Sequence, residues 1–176
     1  ANQEMLAACD VLCPNRPMFL SNPKVRDYYT QHRPPGSELA YYSCSGPARL
    51  LDPYAYHRLQ AWSCWQHGAR TSYFWAFGDA GGGSSWNEYA SERAGYVPFF
   101  LDKTSVTPGK HMEAIRESAE DFEYLVMLRD RVASVDASGR RSPALDRAKK
   151  LLAEAGPRVC EAKGASDLMW AADKDR

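Results

Sequence analysis

Short apolar runs separated by helix-start signals dominate the first hundred residues of this chain. The runs span residues 11–13, 38–44, 71–77 and 97–101. Each has the length of a buried strand, and the third, TSYFWAF, is rich in the aromatic residues that favour strands. Asn22-Pro23 and Asp52-Pro53 lie between runs and place a capping residue before a proline, as many helices begin. Strands that alternate with helices predict an α/β fold with a parallel sheet.

The character of the chain changes after residue 109. Residues 1–109 hold 18 of the 21 aromatic residues, whereas residues 110–176 hold only three of them but 26 of the 44 charged residues. Apolar residues recur every three or four positions from 110 to about 135, which predicts a long amphipathic helix. A second such pattern spans 143–155 and ends at Gly156-Pro157. We therefore assign 1–109 to strands and loops, and 110–176 to a closing long helix and a helical tail of the same domain.

Composition argues against several classes of function. The 22 basic and 22 acidic residues balance, so no nucleic-acid partner is expected, and no stretch of 18 apolar residues could span a membrane. The five cysteines are an odd number, and Cys9-x3-Cys13 lacks the spacing of a zinc knuckle, so we assign no metal ligand. No GxGxxG, Walker A or GxSxG motif follows a predicted strand, and we expect no cofactor.

Aromatic, amide, hydroxyl and carboxylate side chains follow the predicted strands. In a parallel sheet or barrel, ligands bind at the carboxyl ends of strands and in the loops that follow them. A sugar ring has an apolar face that stacks on an aromatic ring and hydroxyls that need fixed polar partners. The sequence therefore predicts a carbohydrate site. Its candidate residues are Tyr42, Trp75, Asp79, Trp86, Asn87 and Tyr89.

Some of the candidate residues also fit a structural role. Trp75 equally fits a core aromatic on a buried strand, whereas Trp86 sits in a glycine- and serine-rich loop where no periodicity would bury it. Asp79 and Glu88 fit a glycosidase carboxylate pair, but two acids in one loop are more often solvated or capping residues. The segment Asn15-Arg16-Pro17 fits an anion site or a solvated loop.

Histidines and a charged helix face have structural interpretations. His57 and His67 fall on the predicted second helix, where packing or surface roles are expected, and His111 fits a capping or surface role. Four residues share one broad face of the long helix and predict a salt-bridged surface. They are Glu113, Arg116, Glu117 and Glu120.

Several of these stretches match one known family, in order and at similar spacing, over about residues 8 to 132. They are residues 38–47 (ELAYYSCSGP), Ala61-Trp62 with Trp65 and Gly68, Tyr73-Phe-Trp75 with the tryptophan loop, and residues 113–125 (EAIRESAEDFEYL). Together they resemble the catalytic domain of glycoside hydrolase family 123 and its bacterial relatives.

The resemblance implies a (β/α)8 TIM-type barrel that removes terminal N-acetylhexosamine-type sugars with retention. In that family the substrate's acetamido group is the nucleophile, and an adjacent Asp-Glu pair orients it and donates the proton. Glu120-Asp121 has the reverse order and lies in the long helix, so it does not match, and we assign no catalytic residue. About four strands are predicted where a barrel has eight, and about 250 residues are typical of a whole barrel. We expect the C-terminal part of a barrel.

The resulting hypothesis is a glycosidase fragment whose catalytic acid lies outside this chain. Its expected partners are a carbohydrate and the missing N-terminal part of the same barrel, and the expected parent protein is secreted or periplasmic. The chain alone is expected to be inactive. The alternative is a non-catalytic carbohydrate-binding or structural barrel domain.

Overall fold

Helices and short strands alternate along the computed structural model, which describes residues 3–43, 53–75, 77–78, 85–86, 97–163 and 167–170. The first part contains α1 (Gln3–Ala7), β1 (Val11–Leu12), α2 (Arg16–Ser21), α3 (Pro23–Gln31), β2 (Glu38–Ser43), α4 (Pro53–Arg58), α5 (Gln60–His67) and β3 (Thr71–Phe74). The second contains β4 (Phe99–Leu101), β5 (Val106–Pro108), α6 (Lys110–Ala137), α7 (Pro143–Val159), β6 (Cys160–Lys163) and β7 (Asp167–Trp170). The predicted α/β class is confirmed.

A parallel sheet with strand order β1-β2-β3 forms the centre of the first part. Leu12 pairs with Leu39 across β1 and β2, and Tyr42 pairs with Tyr73 across β2 and β3. Helices α2 and α3 connect the first two strands, and α4 and α5 lie between the second and third. Each crossover contains helices because parallel neighbours need a long connection.

The fourth predicted strand is part of a hairpin and does not extend the parallel sheet. Strand β4 pairs antiparallel with β5. The chain reverses at residues 102–105, where the amide of Asp102 donates to the carbonyl of Ser105 at 2.9 Å. Pro98 precedes β4 and lacks an N–H, which suits a strand start. Within the described residues, the parallel sheet therefore has three strands, not four.

The helix predicted between β2 and β3 is broken at Leu59. The Leu59 backbone (φ −86°, ψ 0°) separates α4 from α5, and the Leu59 side chain has no polar group that could cap α5. Ser118 of α6 supplies the missing acceptor, since its Oγ accepts from the amide of Ala61 at 3.0 Å. Helix α2, which the sequence did not predict, begins at Arg16 and is capped by Asn15, whose Oδ1 accepts from the amide of Met18 at 3.2 Å.

The long helix α6 is confirmed, but two predictions about the C-terminal part were wrong. Helix α7 continues through Gly156 and Pro157 to Val159 instead of ending there. Gly156 packs against α5: a Cβ added to it would lie 2.7 Å from Cβ of Gln66. The expected helical tail is confirmed only as far as α7, and the residues after it form an antiparallel hairpin of β6 and β7. In this hairpin, buried Cys160 packs against Ala55 and Leu59.

The two faces of the parallel sheet differ in burial. Leu39 and Tyr41 point to the helix side and pack with Phe19 and Cys64 in the main core. Alternate strand residues point to the other face. There, Tyr42 and Tyr73 are exposed. One face of the sheet is thus covered by helices, and the other presents aromatic rings. No helix in the described ranges has both the length and the apolar character needed to cross a membrane.

Candidate functional site

The carboxyl edge of the parallel sheet brings three strand ends together. The amide of Tyr42 donates to the carbonyl of Pro14 at 3.2 Å, and Asn15 forms an isolated parallel bridge to Tyr42. On the other side of β2, the amide of Trp75 donates to the carbonyl of Ser43 at 2.9 Å. Tyr42 and Trp75, which the sequence placed in one sugar site, are therefore neighbours at one edge of the sheet.

Trp75 is an accessible side chain and not a core residue. Its side chain is 59% exposed just beyond the end of β3, so the alternative interpretation as a core aromatic is wrong. Tyr73 was not among the sequence candidates, yet it is exposed beside Tyr42 in register. The period-two alternation of β3 was the signal that could have identified it, because residues paired in register share a face.

Trp86 is held in place from one side. Its ring stacks on Phe100 with centroids 4.9 Å apart and an interplanar angle of 27°, and 55% of its surface remains exposed. Ser85 fixes the backbone next to it, because its buried Oγ accepts from the amide of Leu101 at 2.7 Å and contacts the Leu101 carbonyl at 3.2 Å. The exposed tryptophan is thus anchored to β4 before any ligand binds, which lowers the entropic cost of binding.

A chain of aromatic contacts links β3 to the hairpin. Phe77 lies 5.0 Å from Phe74 and 5.8 Å from Phe99 by ring centroids, and its carbonyl accepts from the amide of Phe99 at 3.0 Å. Phe100 packs closely on Gly109, where an added Cβ would lie 2.8 Å from Cε2 of the ring. The sequence analysis missed the supporting roles of Phe77, Phe100 and Gly109, because each depends on contacts between segments.

Three predicted site residues, Asp79, Asn87 and Tyr89, lie outside the described residues, as does Glu88. At the described part of the carboxyl edge the side chains are aromatic, hydroxyl, amide and thiol groups, and none is a carboxylate. The described part of the site can therefore stack and hydrogen-bond a ligand.

Asn15 and Arg16 have structural roles. Asn15 caps α2, as described above. The Arg16 side chain is completely buried, with its Cζ 4.7 Å from the centroid of the Tyr56 ring. An anion in solvent cannot reach a side chain in this position, so the structure does not support the anion-site alternative.

Three of the four histidines are packing residues. His57 and His111 are both buried, and their ring centroids lie 5.6 Å apart. A surface role for His111 is thus wrong. His67 packs edge-on against Phe19 at 5.6 Å, and burial, assisted by the nearby Arg26, lowers its pKa below the usual value.

Two of the described cysteines, Cys64 and Cys160, are buried thiols. Burial raises the pKa of Cys64 and of Cys160 to about 12, so both remain protonated thiols at neutral pH. Burial also raises the pKa of Cys13. Over the ranges that the structure describes, no three His, Cys, Asp or Glu side chains are grouped to hold a metal ion.

The charged run on α6 has two different faces. Arg116 pairs with Glu113 at 2.8 Å and also with Glu120, as the predicted salt-bridged surface requires. Glu117 instead faces α4, where it accepts from Tyr54 and Arg58. The Tyr54 hydrogen bond, with Arg58 nearby, lowers the pKa of Glu117.

The neighbouring Asp121 also joins α6 to the other helices. It accepts from Arg58 at 3.1 Å and from Nε1 of Trp62 at 2.8 Å. Asp121 and Glu117 therefore attach α6 to the helices that cover the sheet.

Comparisons with known proteins return no match, either to a protein-family model or to a curated protein.

Proposed function

We propose that this chain is the C-terminal part of a glycosidase-like (β/α)8 barrel and that it binds a terminal N-acetylhexosamine-type sugar. The observation that carries the proposal is the pair of exposed tryptophans, Trp75 at the carboxyl edge of the parallel sheet and Trp86 stacked on Phe100. Parallel strands in consecutive order support the barrel, because consecutive strands are neighbours in that fold.

In this proposal the aromatic rings hold the sugar by stacking on its apolar face. Tyr42 and Tyr73 lie in register beside the edge where Trp75 stands, and their hydroxyl groups can donate to or accept from sugar hydroxyls. Trp86 adds a second ring that needs no rearrangement, since Phe100 and Ser85 already hold it. The resemblance supplies the sugar class and the retaining mechanism, with the catalytic acid outside this chain.

The second candidate is a non-catalytic carbohydrate-binding domain. Its support is the set of stacking and hydrogen-bonding groups at the described carboxyl edge. Both candidates predict sugar binding. They differ in whether hydrolysis appears when the rest of the barrel is supplied.

Calorimetric titration of the chain with N-acetylglucosamine, N-acetylgalactosamine, glucose and galactose tests the proposal. We expect saturable binding that favours the N-acetylated sugars and that weakens about tenfold in Trp75→Ala or Trp86→Ala, because a stacked ring contributes about 1.5 kcal/mol. Trp170→Ala is the matched control, since Trp170 is an exposed tryptophan on β7. Equal loss in all three variants, or no binding to any sugar, refutes the proposal.

Hydrolysis of an aryl N-acetylhexosaminide tests whether this chain is itself catalytic. We expect no turnover by this chain alone. Robust turnover that is lost in Asp79→Asn or Glu88→Gln would show that the loop carboxylates are catalytic and that the acid does not lie elsewhere.

A further inference from the structure

Helix α6 has apolar side chains on the side that points away from the core. Ala114, Ser118 and Leu125 are buried on the side that packs against the other helices. The opposite side, which we call the outer face of α6, includes five residues at helical spacing: Met112, Arg116, Ala119, Glu123 and Met127. Met127 is 64% exposed, and the neighbouring Tyr124 is 70% exposed. Large apolar side chains exposed together mark interaction surfaces.

The outer face is symmetric about a point between residues 119 and 120. Met112 and Met127 lie at equal distances along the chain from this point, and so do Arg116 and Glu123. If two copies of α6 pack antiparallel about a two-fold axis through this point, Met112 of one copy lies opposite Met127 of the other. Arg116 of each copy then lies opposite Glu123 of the other. The outer face is therefore complementary to itself, as a two-fold interface requires.

The charges on the outer face favour this antiparallel pairing. Arg116 pairs with Glu113 and Glu120 of its own helix, and its five N–H donors leave room for a further carboxylate. Glu123 is exposed and forms no ion pair with any residue that the structure describes. Antiparallel copies bring these two opposite charges together twice. Parallel copies would instead place like charges opposite one another, which is unfavourable.

The size of the outer face sets the expected strength of the contact. From Met112 to Met127 the helix is about 24 Å long. Ala119 lies next to the two-fold axis, and its small side chain allows two helices to approach closely. One helix face buries less than the roughly 1,600 Å² of a standard interface, so we expect a weak dimer with a dissociation constant on the order of 10 μM.

We propose that two copies of this chain associate through the outer face of α6, antiparallel and about a two-fold axis. The inference goes beyond the proposed function and does not depend on it, because neither Trp75 nor Trp86 lines this face.

Sedimentation velocity over a range of concentrations tests the association. Between about 1 and 200 μM, the chain should shift from monomer to dimer. Met127→Glu should weaken the dimer at least tenfold, because it buries a charge opposite Met112. Leu151→Glu is the matched control, since Leu151 is 48% exposed on α7, and it should leave the dimer unchanged. Circular dichroism should show the same helix content in both variants.

Charge reversal tests the antiparallel pairing itself. Arg116→Glu and Glu123→Arg each place two like charges opposite one another in a dimer of the variant, so each alone should dimerise at least tenfold more weakly than the wild type. An equimolar mixture of the two variants forms a mixed dimer in which both pairs again have opposite charges. The mixture should therefore dimerise within about threefold of the wild type.

Three outcomes overturn the inference. A chain that stays monomeric throughout the concentration range would leave the outer face to a different polypeptide. A dimer that Met127→Glu leaves intact would place the contact elsewhere on the molecule. A mixture of the two charge variants that stays as weak as either variant alone would rule out the antiparallel pairing of Arg116 with Glu123.

Discussion

Removing the Asp121 carboxylate is expected to weaken the attachment of α6 to α4 and α5. Asp121 accepts one hydrogen bond from Arg58 of α4 and one from Trp62 of α5, and its side chain is 21% exposed. The Asp121→Ala variant leaves both donors without this acceptor, although Arg58 keeps its contact with Glu117. The cost is thus the loss of two bonds to a carboxylate in a mostly buried setting.

The magnitude follows from those two bonds. Hydrogen bonds to charged groups contribute about 1.5–3 kcal/mol, and partial exposure favours the lower end, giving about 2.5–3 kcal/mol for the pair. Alanine is the better helix former by about 0.6 kcal/mol, so the net loss of unfolding free energy is about 2 kcal/mol. If the unfolding free energy falls by about 2 kcal/mol for each molar of urea, the urea concentration at the unfolding midpoint should fall by about 1 M.

Urea unfolding followed by circular dichroism measures this shift, and Glu120→Ala is the matched control. Glu120 neighbours Asp121 on the same helix but pairs with Arg116 in a solvent-exposed setting. Such a pair contributes about 0.3–0.5 kcal/mol, so its midpoint should move by no more than about 0.2 M. Equal shifts in the two variants would refute the reasoning that Asp121 joins the helices.

Three further predictions concern packing and protonation. Gly109→Ala should displace the Phe100 ring, because the new Cβ would lie 2.8 Å from it, and should weaken calorimetric sugar binding two- to tenfold through Trp86. Unchanged affinity would contradict the supporting role of Phe100. Gly156→Ala should lower the unfolding free energy by about 1 kcal/mol, since overpacking against Gln66 costs about 2 kcal/mol and helix propensity returns about 1. A thermal midpoint above that of the wild type would contradict this. His67 has a lowered pKa in the folded state, so the unfolded chain binds the proton more readily and stability should fall as pH drops below about 6.5. His67→Gln should reduce the difference between urea midpoints at pH 8 and pH 5.5, and an undiminished difference would assign it to other groups.

Sequence signals predicted the elements whose capping residues and apolar periodicity lie within a few residues of one another. Asn22 before Pro23 predicted α3, and its Oδ1 does accept from the amides of Lys24 and Val25. Strands β2 and β3 lie within the apolar runs 38–44 and 71–77 that predicted them. These elements were predictable because the groups that stabilise them lie within a few residues of one another.

The elements that sequence analysis missed depend on distant partners. The break at Leu59 depends on Ser118, which is 57 residues from Ala61 along the chain. Helix α7 passes through Gly156, which lies in close contact with Gln66 of α5, 90 residues earlier in the chain. The same limit applies to the site. The sequence fitted Trp75 both as an exposed residue and as a core residue, and the stack of Trp86 on Phe100 depends on the position of the β4–β5 hairpin.

The carboxyl edge of the described sheet exposes rings such as Trp75, whose faces a sugar can cover, while their polar groups remain within reach of its hydroxyls. Trp75 follows β3 directly, whereas Trp86 is held by Phe100 of the β4–β5 hairpin. Because different segments hold the two rings, removing Trp75 should weaken sugar binding without displacing Trp86.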